Sequence, residues 1–351
     1  MSNLKDKEVL FIARNFFDYH IELKTALESK GAYVDMVFDV PFKSILLKAL
    51  LRLFPLFISP ISSFLIWRQI KGFSKINYDF IFVIIGEGVN RKFIKFLFSK
   101  YPHARKILYI WDGISNNRKP ILKFHYLFDD VYSFDPVDCK KYGWNFLPLF
   151  CSRDSISNDP SFPLTYDFSF IGTAHSTRTP LLALFKKSLV NEKSIFIFQY
   201  LQSKILFYIY NFWDRRFRMV DITEINFTPL SRKEVNAIYK GSKVIIDIPH
   251  PKQVGLTIRA IQTLLSYKKL ITTNKTIIMY KFYDPSNILI VDPKFINSYD
   301  FESFLATPSS IIPSEDIEFY FIDKWIDCIF HGNCCIHNFI KGDLHVFDNM
   351  I

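Results

Sequence analysis

The sequence predicts two doubly wound α/β domains in tandem, and three observations carry that expectation. Short, wholly apolar runs such as residues 80–85 alternate with helix-like stretches along most of the chain. At 351 residues the chain is too long for one ordinary core. Around residues 152–163 the composition turns to Ser, Asn, Asp and Pro, and beyond that linker the alternation restarts. Continuous apolar strands separated by helices belong in parallel sheets covered on both faces.

In the first half, residues 9–13 read as a strand, and 19–30 have helical periodicity that stops at Gly31, a good C-terminal cap. Strand 33–38 follows. The apolar stretch 42–70 carries Lys43, Lys48 and Arg52 and is broken by Pro55 and Pro60, so it does not read as a transmembrane helix. Two short amphipathic helices fit it better, lying on a membrane or partly in the core. Strand 80–85 runs into Gly86-Glu87-Gly88, helix 92–100 follows, and strand 106–111 runs into Asp112. Residues 130–133 and 145–148 supply two more short strands.

In the second half, strand 168–171 leads into Gly172 and Thr173, followed by helix 179–190 and strand 194–198. Helix 232–240 precedes strand 244–248; helix 255–267, strands 269–273 and 287–291, and helix 315–330 complete the pattern. The expected boundaries are 1–150, 151–330 and a tail at 331–351. Two such domains are expected to face a cleft, with ligands at the carboxyl ends of the strands.

Composition narrows the partners. The formal charge is +10, and 38 Phe and 18 Tyr stand against only 11 Gly. A basic surface suits nucleic acid, an anionic membrane or an anionic substrate, or simply keeps a Phe-rich chain soluble. Nucleic acid is disfavoured, because no helix-turn-helix, zinc-finger or RNP-like signature occurs and the basic residues are spread. The polar first ten residues do not form a signal peptide, and five cysteines make no disulfide framework. A reducing cytoplasm is expected. Cys328, His331, Cys334, Cys335 and His337 fit no zinc spacing and read as free thiols and imidazoles in a tail.

The most informative run is 244–274, in which a buried strand delivers the polar turn from His250 to Gly255 and a helix opens near Gly255 and Thr257. A helix N-terminus offers free backbone N–H groups and a positive dipole end, suited to a diphosphate. Arg259 on the first turn has the fork that grips two phosphate oxygens, and Gln262 is placed to bond ribose hydroxyls. An ordinary helix start with a surface arginine satisfies the same spacing.

The strings YDFSFIGTAHSTR at 166–178, HPKQVGLTIR at 250–259, KKLITTN at 268–274 and YDPSNIL at 283–289 add to this. With YIWD at 109–112 and FDPVDC at 134–139, they make the chain resemble GT-B glycosyltransferases of bacterial capsule and O-antigen clusters, in the broad group that includes the CgeB-like proteins. The resemblance implies a GT-B fold whose second domain holds a nucleotide-sugar donor. It places Gly172, Thr173 and Arg178 beside the phosphates and Phe227 against the base. His250, Gln253, Gly255, Leu256, Thr257, Arg259 and Gln262 form the donor loop and helix, with Thr273 and Asn274 at the lip. It also implies a lipid-linked, lipopolysaccharide or capsule acceptor, with no cofactor or metal; the nucleotide-sugar is a co-substrate. The sequence departs from the family pattern at Gln262, where a Glu for the donor ribose is common, and at Val254, the earlier site of the Glu-x7-Glu arrangement.

For catalysis, Glu87 and Asp112 follow predicted strands and are candidate bases for the acceptor hydroxyl, or helix and turn caps. Asp18 and His20 are candidates for the acceptor site. The chain has no Asp-x-Asp, which argues against a metal-bound donor. The aromatic and Arg-rich stretch 207–218 suits a membrane interface, nucleic acid or an inserted helix packed on the second domain. Glycosyl transfer is the leading expectation, placing the protein in the cytoplasm or on the inner face of the membrane. A GT-B-shaped scaffold that binds a nucleotide or sugar without turnover is the alternative, and a sugar-nucleotide epimerase is a more distant one.

Overall fold

Two sets of buried apolar strands collect into two separate parallel sheets. The computed structural model describes residues 4–350 except 16–17, 43, 45–46, 48–49, 52–53, 85–87, 117–118, 154–155, 157–161, 176–177, 190–192, 216 and 333. The chain divides into two compact units: Met1–Leu149 with Phe319–Asn338 and Gly342–Asp348, and Phe150–Glu318 with Phe339–Lys341 and Asn349–Ile351.

The first unit holds β1 (Glu8–Ala13), α1 (Tyr19–Ser29), β2 (Tyr33–Phe38), α2 (Pro55–Gly72), β3 (Phe80–Ile84), α3 (Arg91–Lys100), β4 (Arg105–Ile110), β5 (Asp130–Ser133), α4 (Pro136–Tyr142) and β6 (Asn145–Phe146). All strand pairs are parallel, in the order β2-β1-β3-β4-β5-β6. Central strands β1, β3 and β4 are buried along nearly their whole length, as runs without polar alternation require. Of the two short helices expected within 42–70, the second is matched by α2, which has 18 residues with Pro60 inside it; the described residues Leu47, Leu50 and Leu51 ahead of it are also helical. Its inner face is narrow and small, with Ser59, Ser62 and Ser63 buried beside Ile66 and Ile70.

The second unit holds β7 (Tyr166–Thr173), α5 (Arg178–Ser188), β8 (Ile195–Tyr200), α6 (Lys204–Trp213), β9 (Ile225–Asn226), α7 (Arg232–Lys240), β10 (Ser242–Asp247), α8 (Ile258–Leu265), β11 (Lys269–Thr272), β12 (Ile288–Ile290), α9 (Phe301–Ala306) and α10 (Ser314–Ile317). Its strand order is β12-β11-β10-β7-β8-β9, again all parallel. The order reverses direction between β7 and β10, and such a switch point opens a crevice beyond the carboxyl ends of the two strands.

The expected helix 315–330 is divided. After α10 and a 3₁₀ turn, α11 (Ile322–His331) packs within the first unit and not with the second, where the expected boundary had placed it. Side-chain chemistry accounts for this. Trp325 is fully buried, with its ring 4.7 Å from Tyr109 and its Nε1 donating to the Pro148 carbonyl at 2.8 Å. Lys30 pairs with Asp327 at 2.6 Å, and Arg105 donates to the Phe330 carbonyl at 2.8 Å. Of the thiols expected to be free, Cys328 on α11 lies beside Cys334, beyond the turn at Gly332, with Cα atoms 5.0 Å apart and within reach of a disulfide, while Cys335 is free and exposed.

Candidate functional site

The switch point of the second unit gathers the end of β7, the end of β10 and the N-terminus of α8. At its base lies Asp247, the last residue of β10, almost fully buried. One carboxylate oxygen accepts from Arg259 Nη1 at 2.8 Å and from the Thr257 hydroxyl at 2.9 Å; the other accepts from Thr272 at 3.3 Å. The rest of the Arg259 guanidinium is also committed inside the protein. It donates to the Ile171 carbonyl at 2.5 Å and the Tyr239 hydroxyl at 3.2 Å, and lies 4.8 Å over the Phe170 ring. Burial works against its charge, but Tyr239 and Asp247 hold its pKa above the ordinary value.

Arg178 repeats the arrangement one layer away. It donates to the Ile248 carbonyl through Nε at 2.8 Å and Nη2 at 2.5 Å, and to the Thr173 carbonyl at 2.7 Å. Burial first, then the neighbouring Arg259, push its pKa down to about 9. The two arginines expected to reach for phosphate therefore tie β7 to β10 and the loop beyond it. They act as braces, because each nitrogen of Arg259 already meets a protein acceptor, at Tyr239, Asp247 and Ile171. Gly172 belongs to the brace, since a Cβ there would lie 2.8 Å from both Arg259 Nη2 and the Phe170 ring.

Around the brace lie the start of α8, the end of β7 and the loop after β10. Thr257 caps α8 by accepting from the Ala260 N–H at 3.0 Å, which leaves the N–H groups of Ile258 and Arg259 ahead of the first intrahelical bond at the positive end of the dipole. The helix thus starts three residues later than expected at Gly255, because Thr257 and not Gly255 is its cap. Thr173 is exposed at the end of β7, and His250 and Lys252 are exposed on the facing loop. The His250 ring lies 5.9 Å from that of His175; burial, then Lys252 and Arg178, lower the His250 pKa.

Other expected donor residues have structural partners. Gln253 donates to the Gly255 carbonyl at 3.0 Å and shapes the turn. Asn274 donates to the Val254 carbonyl at 3.0 Å and accepts from the Thr276 N–H at 3.0 Å, pinning the same loop from below. The Thr273 N–H donates to the Asp247 carbonyl at 3.3 Å. Leu256 is core, not lining. Gln262 is half-buried and hydrogen-bonds the buried Cys151 thiol, away from the helix start where a ribose contact was expected. Phe227 is packed against the cluster of Ala174, Leu201, Phe207 and Phe217, with part of its ring exposed.

Sequence reasoning missed Asp247 and Tyr239. The signal for Asp247 was present: one acid closing the apolar run Val244-Ile245-Ile246 has no reason to lie in a parallel sheet unless a cation meets it.

In the first unit, Glu87 lies outside the described residues. Asp112 is half-buried after β4, next to Trp111, whose ring meets Tyr19 edge-on at 6.3 Å. Asp18 is exposed at the start of α1 in a left-handed conformation (φ 62°). His20, a candidate for the acceptor site, is buried. Second in α1, it points into the core onto Phe38 at 5.1 Å, and burial lowers its pKa. Asp138, which the sequence did not mark, is buried and accepts from the Ile114 N–H at 2.7 Å; burial raises its pKa to about 6. Among the described residues, no three His, Cys, Asp or Glu side chains gather as a metal site, and no helix is long and apolar enough to cross a membrane.

No protein-family model and no curated protein matches this chain by sequence. Solved structures do match in shape. Anabaena HepE in complex with UDP and glucose superposes with a TM-score of 0.51 at 10% identity, over 91% of this chain and 98% of that one. AviGT4, a glycosyltransferase involved in avilamycin A biosynthesis, gives 0.54 at 8% identity, over 93% and 98%. At these identities the likeness is one of architecture, and with the two six-stranded parallel sheets it establishes that the chain has the GT-B fold.

Proposed function

We propose that the chain is a glycosyltransferase that takes a sugar from a nucleotide-sugar donor bound at the switch point of the second unit. The observation that carries this is the braced rim there: the open N-terminus of α8, Thr173, His250 and Lys252 around a core fixed by Arg259, Arg178 and Asp247. A diphosphate fits that electrostatics, because it accepts from helix N–H groups and is drawn to the basic loop. A structure of the same fold holds UDP and glucose, which supports the choice of ligand. Phe227 and the adjoining loop would carry the base, and Asp112 or Glu87 would take the acceptor proton. No metal is required in this reading, since the helix and basic loop supply the positive charge.

The acceptor in this reading is lipid-linked, a lipopolysaccharide or a capsule glycan, with the protein on the inner face of the membrane. Helix α2 supports it: Phe57, Ile61 and Phe64, spaced along one side, are each more than half exposed. Calorimetric titration with UDP and other nucleoside diphosphates is the test. One site per chain is expected, with binding about tenfold weaker in His250→Ala or Lys252→Ala, the size of one charge-assisted hydrogen bond. No binding of any nucleotide would sink the proposal. Binding with no sugar release or transfer, across a panel of nucleotide-sugars and lipid acceptors, would favour a non-catalytic scaffold.

A further inference from the structure

Helix α6 is apolar on both sides, and only one side is used. Inward, Phe207 is buried against Phe217 at 5.4 Å, in a cluster with Ala174, Leu201, Val220 and Ile225. Outward, Ile205 (73% exposed), Tyr208 (61%), Ile209 (46%), Phe212 (70%) and Trp213 (79%) form an unbroken stripe at helical spacing. Single exposed apolar residues are ordinary, but five in one stripe on one helix are not. The helix is built to keep this shape. Ser203 caps its start by accepting from the Leu206 N–H at 3.2 Å, and Arg218 closes its end by donating to the Asn211 and Phe212 carbonyls at 3.0 and 2.8 Å.

Charge and size say what covers the stripe. Lys204 and Arg215 are exposed beside it, Arg218 lies at its end, and Asp214 is the one acid from residue 204 to 218. A ten-residue helix is about 15 Å long, so its stripe falls well short of the ~800 Å² per partner that a stable protein interface buries. A lipid surface sets no such minimum and favours this composition: Tyr and Trp at the headgroup level, aliphatic and Phe side chains below, and basic residues at the phosphates.

We infer that α6 is an interfacial anchor that lies in the plane of an anionic lipid bilayer, with Ile205, Tyr208, Ile209, Phe212 and Trp213 inserted and Lys204, Arg215 and Arg218 at the headgroups. It is an attachment in the second unit, independent of the α2 contact proposed in the first and of the donor site.

The experiment is co-sedimentation of the full chain with vesicles of phosphatidylcholine, with and without one quarter phosphatidylglycerol, together with Trp fluorescence. Binding to the anionic vesicles with a blue shift that Trp213→Phe reduces is the expected result. Ile205→Ser/Phe212→Ser should weaken partitioning at least tenfold while far-UV circular dichroism and UDP binding stay unchanged. Lys204→Glu and Arg215→Glu should each weaken it about fivefold and only on the anionic vesicles. Three results would overturn the inference: no binding to either vesicle; binding untouched by Ile205→Ser/Phe212→Ser but abolished by Phe57→Ser/Ile61→Ser/Phe64→Ser, which leaves the α2 contact standing alone; or a dimer in solution that Ile205→Ser/Phe212→Ser dissociates.

Discussion

The two units share a six-stranded parallel plan but hold their sheets by opposite means. In the first, helix α11 lays an aromatic stack on the sheet: Trp325 against Tyr109 at 4.7 Å, and Phe330 against Phe82 at 5.4 Å, with Phe82 stacked on Phe11 at 5.1 Å. In the second, the ends of β7 and β10 are held by buried charge, the Arg259–Asp247 pair with the Arg178 guanidinium on the Ile248 and Thr173 carbonyls beside it. An apolar stack is held by area and tolerates small shifts. A buried ion network is costly to desolvate and holds only in one geometry, so it positions more than it stabilises.

The largest effects should come from breaking each device. Arg259→Ala leaves Asp247 buried without its cation and is expected to cost about 3–5 kcal/mol in urea denaturation. Hydrogen exchange should then rise at the ends of β7 and β10. Trp325→Ala is expected to cost a similar ~3–5 kcal/mol through the cavity, with the increase confined to β3, β4 and α11. Conservative changes should separate the two devices. Trp325→Phe should recover much of the loss, whereas Arg259→Lys should recover little, because one ammonium cannot reach Asp247, Ile171 and Tyr239 together. If Arg259→Lys behaves like wild type, the brace is not a geometric device.

Gly172→Ala is a smaller break. Its methyl group would meet Arg259 and Phe170 at 2.8 Å, and overpacking of this kind costs about 1–3 kcal/mol. UDP affinity should fall with stability, since the loop at Thr173 moves with the brace.

The smallest effect is a pH dependence in the first unit. Burial raises Asp138 from 3.8 to about 6, so the folded chain holds that proton more tightly than the unfolded one. The contribution is complete below about pH 4 and is lost as pH rises through about 6. Asp138→Asn keeps the group neutral, so the stability difference between variant and wild type should move in the variant's favour from pH 4 to pH 7. A flat difference across that range would show that the carboxyl titrates normally.

Much of the fold was legible in the sequence because it rests on local order. The apolar run of residues 80–85 in an α/β pattern needs a strand buried on both faces, and Gly31 stops α1 where its periodicity ends, with φ at +91°. The polar turn at 248–257 between an apolar strand and a helix followed too. The roles of individual side chains did not follow. Arg259 is typed correctly for phosphate, yet its partners Asp247, Tyr239 and Ile171 lie 12, 20 and 88 residues away. His20 carries no mark of which way α1 faces.

The sequence by itself determined the two doubly wound sheets and the strand–turn–helix order that leads into α8, because period, capping and composition act over a few residues. Only the tertiary structure decided that α11 belongs to the first unit, that Cys328 lies beside Cys334, and that Arg259 and Arg178 turn inward. Each depends on which backbone carbonyl or carboxylate a distant segment brings within 3 Å, as Pro148 is brought to Trp325 across 177 residues. The same chemistry that would let an arginine bind a phosphate lets it bind a buried aspartate, and the fold supplied the aspartate first.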